Sequence, residues 1–218
     1  MNYWMVQANP GGRFILHYWL DDYVKRQTKF VEVWWQTTKK YNPEYNVKLG
    51  DMVFFWKAKS EPTKEDAPDY YKYERYSVLS QRPPGIYAVG VVTDTEEYKT
   101  AWEVDGGKCS EAKYYAKPKG KNGEDGVALF YKSYKEDRRC WILIKIRDYR
   151  DNLVDNPLPQ DKLMDHPFTP KKIYPGLELL WKKMKVRQGK SIFPEVDEKE
   201  ANILLKLIHE STGTRILK

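Results

Sequence analysis

The chain has 218 residues, 41% of them hydrophobic, with eight Trp, seventeen Tyr and seven Phe. That is enough apolar surface to bury a core, which excludes disorder along the whole length and points to a single domain over 1–218 carrying insertions. No run of about 18 apolar residues occurs and the opening MNYWMVQANPGGR lacks a signal-peptide pattern, so the expectation is a cytoplasmic chain without membrane contact. The net charge of +7 is concentrated late: residues 132–218 hold 19 basic and 13 acidic side chains, and 171–190 hold seven Lys or Arg against Glu178. Such a run suits a polyanionic partner or a solvated helix face.

In chain order, Tyr3 to Gln7 is the first strand pattern, apolar and aromatic. A weaker helical pattern covers Trp19 to Gln27. In the extended segment VEVWWQTTKK (31–40), period-two geometry sends Trp34 and Trp35 to opposite faces, so one is predicted to be core and the other free. Met52 to Trp56 is a strand, followed by a charged, Tyr-rich insertion at 57–84 (Lys57 to Pro84). Ile86 to Val92, within GIYAVGVV, is apolar on both faces and therefore predicts a central strand. A polar, turn-prone insertion at 118–126 (Pro118 to Gly126) precedes a strand pattern at Val127 to Tyr131. In Cys140 to Ile146, Ile142, Ile144 and Ile146 share one face while Trp141, Leu143 and Lys145 share the other.

Two helices close the pattern. Leu177, Leu180, Trp181 and Met184 recur at helical spacing and leave Lys182, Lys183 and Lys185 off the buried stripe. Asp197 opens the second, with Glu200 placed to complete a capping box and Ala201, Leu204, Leu205 and Ile208 forming its apolar stripe. Several strands, few helices and no regular alternation predict an α+β fold: a mixed barrel or open sheet with helices packed outside.

The chain holds no GxGxxG, GxxxxGKS/T, GxSxG, HExxH or CxxC motif. Adjacent carboxylates such as Asp21-Asp22 and Glu96-Glu97 need not face one site, so no catalytic residue is assigned. Cys109 and Cys140 read as reduced thiols, and His17, His166 and His209 are too dispersed for a zinc site; no metal or cofactor is expected. Tryptophans beside polar amides stand out instead: Gln7 and Asn9 end the first strand, Trp34-Trp35 follow, and Trp56 closes MVFFW. An indole face can stack on a nucleobase while amides read its edge, and it can equally fill a core.

The ordered set YWMVQANP, VEVWWQTTKK, LGDMVFFWKA, GIYAVGVV, RRCWILIKI and RQGKSIFPEVDEKEANILLKLI resembles an EVE domain, of the PUA-like group related to YTH readers of modified bases. The likeness spans nearly the whole chain. It implies a PUA-like mixed β-barrel that binds DNA or RNA without catalysis and holds one flipped base, methylated or hydroxymethylated cytosine by type, in an aromatic pocket. Carried over, Gln7, Asn9 and Pro10 would form one wall, Trp34 or Trp35 another and Trp56 a third, with Gly189 and Phe193 near the mouth. Lys182, Lys183, Lys185, Arg187 and Lys190 would hold phosphates. Gln7-Ala8-Asn9-Pro10 stands where many members have Lys-Ser-Glu-Pro, which replaces an acidic wall by amides. Gly189-Lys190-Ser191-Ile192-Phe193 stands where many have Gly-Thr-Asn-Phe, which adds a lysine. The rival readings are an RNA-binding PUA-like module, a nucleotide-modifying enzyme and a protein-interaction domain; a separately made nuclease is a conceivable partner.

Overall fold

The computed structural model describes residues 1–8, 31–38, 47–57, 83–104, 106–107, 135–136, 138–146, 153, 156–165, 171–185 and 194–212. The expected helix at Trp19 to Gln27, the strand at Val127 to Tyr131, the insertion at 118–126 and residues 58–82 of the longer insertion lie outside them. The described strands are β1 (Tyr3–Ala8), β2 (Val31–Thr38), β3 (Met52–Lys57), β4 (Gly85–Lys99), β5 (Arg139–Ile146), β6 (Leu158–Pro159) and β7 (Glu195–Val196). The described helices are α1 (Ala101–Val104), α2 (Glu178–Lys185) and α3 (Glu198–Thr212). The fold is mixed α+β. One sheet runs β2-β5-β4-β3-β1-β7, with β6 on β4, and is not closed into a barrel. β1 and β3 are parallel; the other pairs are antiparallel.

Register assigns the paired strand positions to two faces, because directly opposed residues share a face. The outer face carries Tyr3, Met5, Met52, Phe54, Trp56, Ile86 and Val89, which form one core with Leu177, Leu180, Trp181 and Met184 of α2 and Ala201, Leu204, Leu207 and Ile208 of α3. The inner face carries Trp4, Val6, Val53, Phe55, Ala88, Val92, Ile142, Ile144 and Ile146. All nine are buried and none belongs to the helix-packed core. GIYAVGVV is thus central and covered on both sides, as its unbroken apolar run predicts.

What covers the inner face, in part, is the sheet itself. Trp35 on β2 and Phe55 on β3 meet edge to face, ring centroids 5.7 Å apart. Two strands lie between them, so a flat sheet would hold them about 14 Å apart laterally, and the Thr95 and Ala88 rungs on β4 would add about 23 Å along the strand. The contact therefore requires strong coiling, the usual right-handed twist carried far. Bulges at Phe55/Trp56, Val92/Asp94, Glu96/Lys99 and Gln36/Thr38 supply the bends. Gly90 lies where β4 and β5 approach closely: a Cβ there would come within 2.5 Å of Ile144 Cγ2 and 3.0 Å of the Lys145 carbonyl.

Two buried carboxylates fasten segments distant in sequence. Asp51, 2% exposed, accepts from Asn2 N at 2.7 Å, Trp4 Nε1 at 3.0 Å and Lys48 N at 2.9 Å, pinning the start of β1 to the turn before β3. The expected capping box forms: Asp197 Oδ1 accepts from Lys199 N at 2.8 Å and Glu200 Oε2 from Asp197 N at 3.3 Å. The other oxygen of Glu200 accepts from Leu180 N, so one carboxylate caps α3 and the first turn of α2.

β4 outruns its apolar signal by seven residues, to Lys99, because its polar half is held by pairing with β5. Past Lys99, Thr100 and Glu103 cap α1 reciprocally: Thr100 N donates to Glu103 Oε2 at 2.6 Å and Glu103 N to Thr100 Oγ1 at 3.2 Å. Arg138 reaches Glu103 at 3.5 Å and the carbonyl of Tyr98 at 2.9 Å, holding Tyr98 at a φ of 58°. Among the described residues, no helix is long and apolar enough to cross a membrane.

Gly90→Ala is expected to destabilise by about 1–3 kcal/mol in denaturant titrations, since Ile144 and the β5 backbone must move. The amide and hydroxyl of Thr100 hold the Glu103 carboxyl below the ordinary glutamate range, helped by Arg138 and Lys99. A depressed folded-state pKa means the α1 cap stays intact above the ordinary range and is lost only as pH falls below it. An NMR titration of the Glu103 carboxyl should show this low midpoint, displaced upward in Thr100→Ala.

Candidate functional site

Parallel pairing of β1 with β3 sends both chains out of the sheet at one edge. There Gln7 opposes Trp56 and Ala8 opposes Lys57, while Gly85 flanks Lys57 on the other side. Pro194, next in the chain to Phe193, accepts from Met5 N at 3.0 Å, so β7 begins beside the same strand. Lys183 of α2 donates to the Glu195 carbonyl at 2.8 Å, tying the cationic helix to β7. Four segments of the sequence pattern thus lie in the order β4, β3, β1 and β7.

The described tryptophans divide into two sets. Trp4, Trp56 and Trp181 are 2%, 4% and 6% exposed, whereas Trp34, Trp35 and Trp141 are half-buried and Trp102 is 38% exposed. Trp56, expected as a pocket wall, is packed in the helix-side core. Trp34 and Trp35 take opposite faces as predicted, yet both keep accessible surface. Trp35 alone of the pair is placed against β3, through Phe55, whose inner-face neighbour along the strand is Lys57. Trp35 and Trp56 are therefore on opposite sides of the sheet and share no hollow.

Gln7 lies in β1 as register partner of Trp56. Asn9, Pro10, Gly189, Phe193, Arg187 and Lys190 lie outside the described residues. Of the expected phosphate contacts, Lys182 is exposed, Lys183 is half-buried and bonded to Glu195, and Lys185 is the last residue of α2. Lys171 and Lys172 add two exposed lysines before the helix, their amides bonded to Asp165. Sequence reasoning missed two members of this edge. In the sequence Phe55 reads only as part of the Met52 to Trp56 strand, and Lys57 as the start of an insertion; Lys57 is the last residue of β3 and 1% exposed. Counting in twos along MVFFWK from Val53 would have placed Phe55 and Lys57 on one face.

Among the described residues no three His, Cys, Asp or Glu side chains gather to hold a metal. Cys140 of β5 is a half-buried cysteine. Comparison with family models, with characterised proteins and with solved structures returns no match.

Trp56→Ala should cost about 3–5 kcal/mol of stability, as expected for a large side chain lost from a packed core. Trp35→Ala, at a half-buried position, should cost markedly less. Equal losses in thermal or denaturant unfolding would contradict the division of the tryptophans into core and accessible sets.

Proposed function

We propose that this chain is a non-enzymatic nucleic-acid reader on a PUA-like framework, holding one flipped, modified cytosine-type base against Trp35 at the edge where β1 and β3 end. The carrying observation is the Trp35–Phe55 pair: Phe55 packs against Trp35 near this strand end while part of Trp35 stays accessible. The strand order β4-β3-β1-β7, which sets segments of the EVE likeness side by side, supports the same reading. Trp56 stiffens the edge from the core side rather than touching the base.

Extruding a base costs a few kcal/mol, and one aromatic stack returns about 1–3 kcal/mol. Hydrogen bonds from backbone groups where β1 and β3 end would provide the remainder, since Gln7, opposed to Trp56, belongs to the other face. Lys182, with the lysines at 171 and 172, contacts phosphates by displacing condensed counterions, which positions the strand without reading sequence. An added methyl contributes about 1–3 kcal/mol of discrimination, so a modest preference follows.

The test is a titration of DNA and RNA oligonucleotides bearing one modified cytosine, with unmodified controls, at several salt concentrations. Affinity should fall with salt. Trp35→Ala should abolish the preference for the modified base and leave the salt slope unchanged, and Lys182→Ala should reduce that slope by about one. Equal, salt-insensitive binding of every oligonucleotide would overturn the proposal. Stronger RNA binding with no response to modification would establish the RNA-module alternative instead.

A further inference from the structure

Where β1 and β3 end, register separates two polar residues. Gln7 opposes Trp56 on the outer face, whereas Lys57 opposes Ala8 on β1 and Gly85 on β4. The β1–β3 pairing runs from Tyr3 to Ala8 without a bulge, so the alternation that puts Val53 and Phe55 on the inner face extends to Lys57. The adjoining rung on that face is Val6–Phe55–Ala88, and Phe55 makes the contact with Trp35. Neither Ala8 nor Gly85 has a side chain longer than a methyl group, so the partners of Lys57 demand little space beside its stem. Lys57 is 1% exposed, on a face whose other buried residues named above are apolar.

An ammonium kept from water needs acceptors, and in such surroundings it binds one more tightly than an exposed ammonium does. It carries three N–H donors and no acceptor, so a bond within the protein leaves others for a ligand, and it reads only acceptor positions. We propose that Lys57 reads the edge of the base stacked on Trp35, a role that rests on the reader proposal and adds to it the edge recognised. The base turns its carbonyl O2 and the adjoining ring nitrogen N3 toward the ammonium. Cytosine offers this pair of acceptors whatever its 5-substituent, so Lys57 selects the base and the surroundings of the 5-position select the modification. Thymine presents a donor at N3, and adenine has no carbonyl oxygen. Because Lys57 is buried, the contact forms with a base brought inside the strand end and not with a phosphate passing over the surface.

The test uses the full chain and single-stranded oligonucleotides with 5-methylcytosine, cytosine, thymine or adenine at one position, titrated at several salt concentrations. Both cytosines should bind about tenfold more tightly than adenine. Lys57→Met keeps the length of the stem and removes the donors; it should erase that gap, keep the smaller preference for the methyl group and leave the salt slope unchanged. In the unaltered chain, a 2-aminopyridine nucleoside, which retains the ring nitrogen and amino group of cytosine but lacks the carbonyl, should bind about tenfold more weakly than cytosine. This second measurement decides the matter if Lys57→Met lowers the thermal midpoint. Equal binding of the carbonyl-free analogue and cytosine, or an intact cytosine–adenine gap in Lys57→Met, would overturn the role of Lys57 and leave the reader proposal standing. A salt slope reduced by about one in Lys57→Met would overturn it too, by revealing a phosphate contact. Failure of the unaltered chain to bind any of the oligonucleotides would overturn both.

Discussion

The coiling of one sheet is the constraint from which the rest of the molecule follows. β3 and the first half of β4 are apolar on both sides, and each side must be covered. Helices α2 and α3 cover the outer one, using a stripe that helical periodicity makes about one-third of their circumference. No described helix packs on the inner one; instead the sheet bends until β2 returns over β3 and an indole rests on a phenyl ring. Coiling of this degree leaves little room, which is why Gly90 faces Ile144 without a side chain. A stacked arrangement with helices on both faces would have had no need of that glycine.

Once the sheet is bent, its loose ends need fixing, and two acids do this by accepting amide hydrogens rather than by pairing with cations. Asp51 satisfies three N–H donors and Glu200 two. A buried carboxylate is tolerable only when its lone pairs are so occupied, and each acceptor adds a polar tie between segments that strand pairing or core packing already brings together. Asp51 holds the first strand to the turn before the third; Glu200 holds two helices to one another. Lys57 poses the complementary problem, a long cationic side chain at 1% exposure at the end of β3.

Periodicity made much of this readable. The β5 alternation, the two helix stripes, the capping box at Asp197 and the centrality of GIYAVGVV all rest on local spacing, and local spacing survives folding. Three kinds of feature did not. The polar half of β4 has no apolar alternation, so only its pairing with β5 makes it a strand. Trp56 looked available because tryptophan serves cores and binding sites alike; strand parity put it under α2, and parity decides nothing until the helix side is known. Asp51 belongs to a Gly-Asp pair that reads as a simple turn, whereas its partners Asn2 and Trp4 lie 49 and 47 residues away. The site was legible as a set of segments, β1, β3 and the approach to α3, and illegible as a set of side chains.

Face assignment also locates the charges. The surplus lysines at 171 to 185 approach the outer core through α2, with Lys183 anchored to β7, while at the other end of the sheet Glu32, Asp94 and Glu96 are interleaved with Lys145 and Lys99 around Trp34 and Trp141. A chain with charge +7 distributed evenly would attract a polyanion from any direction. Here the exposed lysines at 171, 172 and 182 stand near α2, which Lys183 and β7 tie to the strand system where Trp35 meets Phe55; on the proposed reading, phosphate contact and base stacking would therefore fall on connected elements.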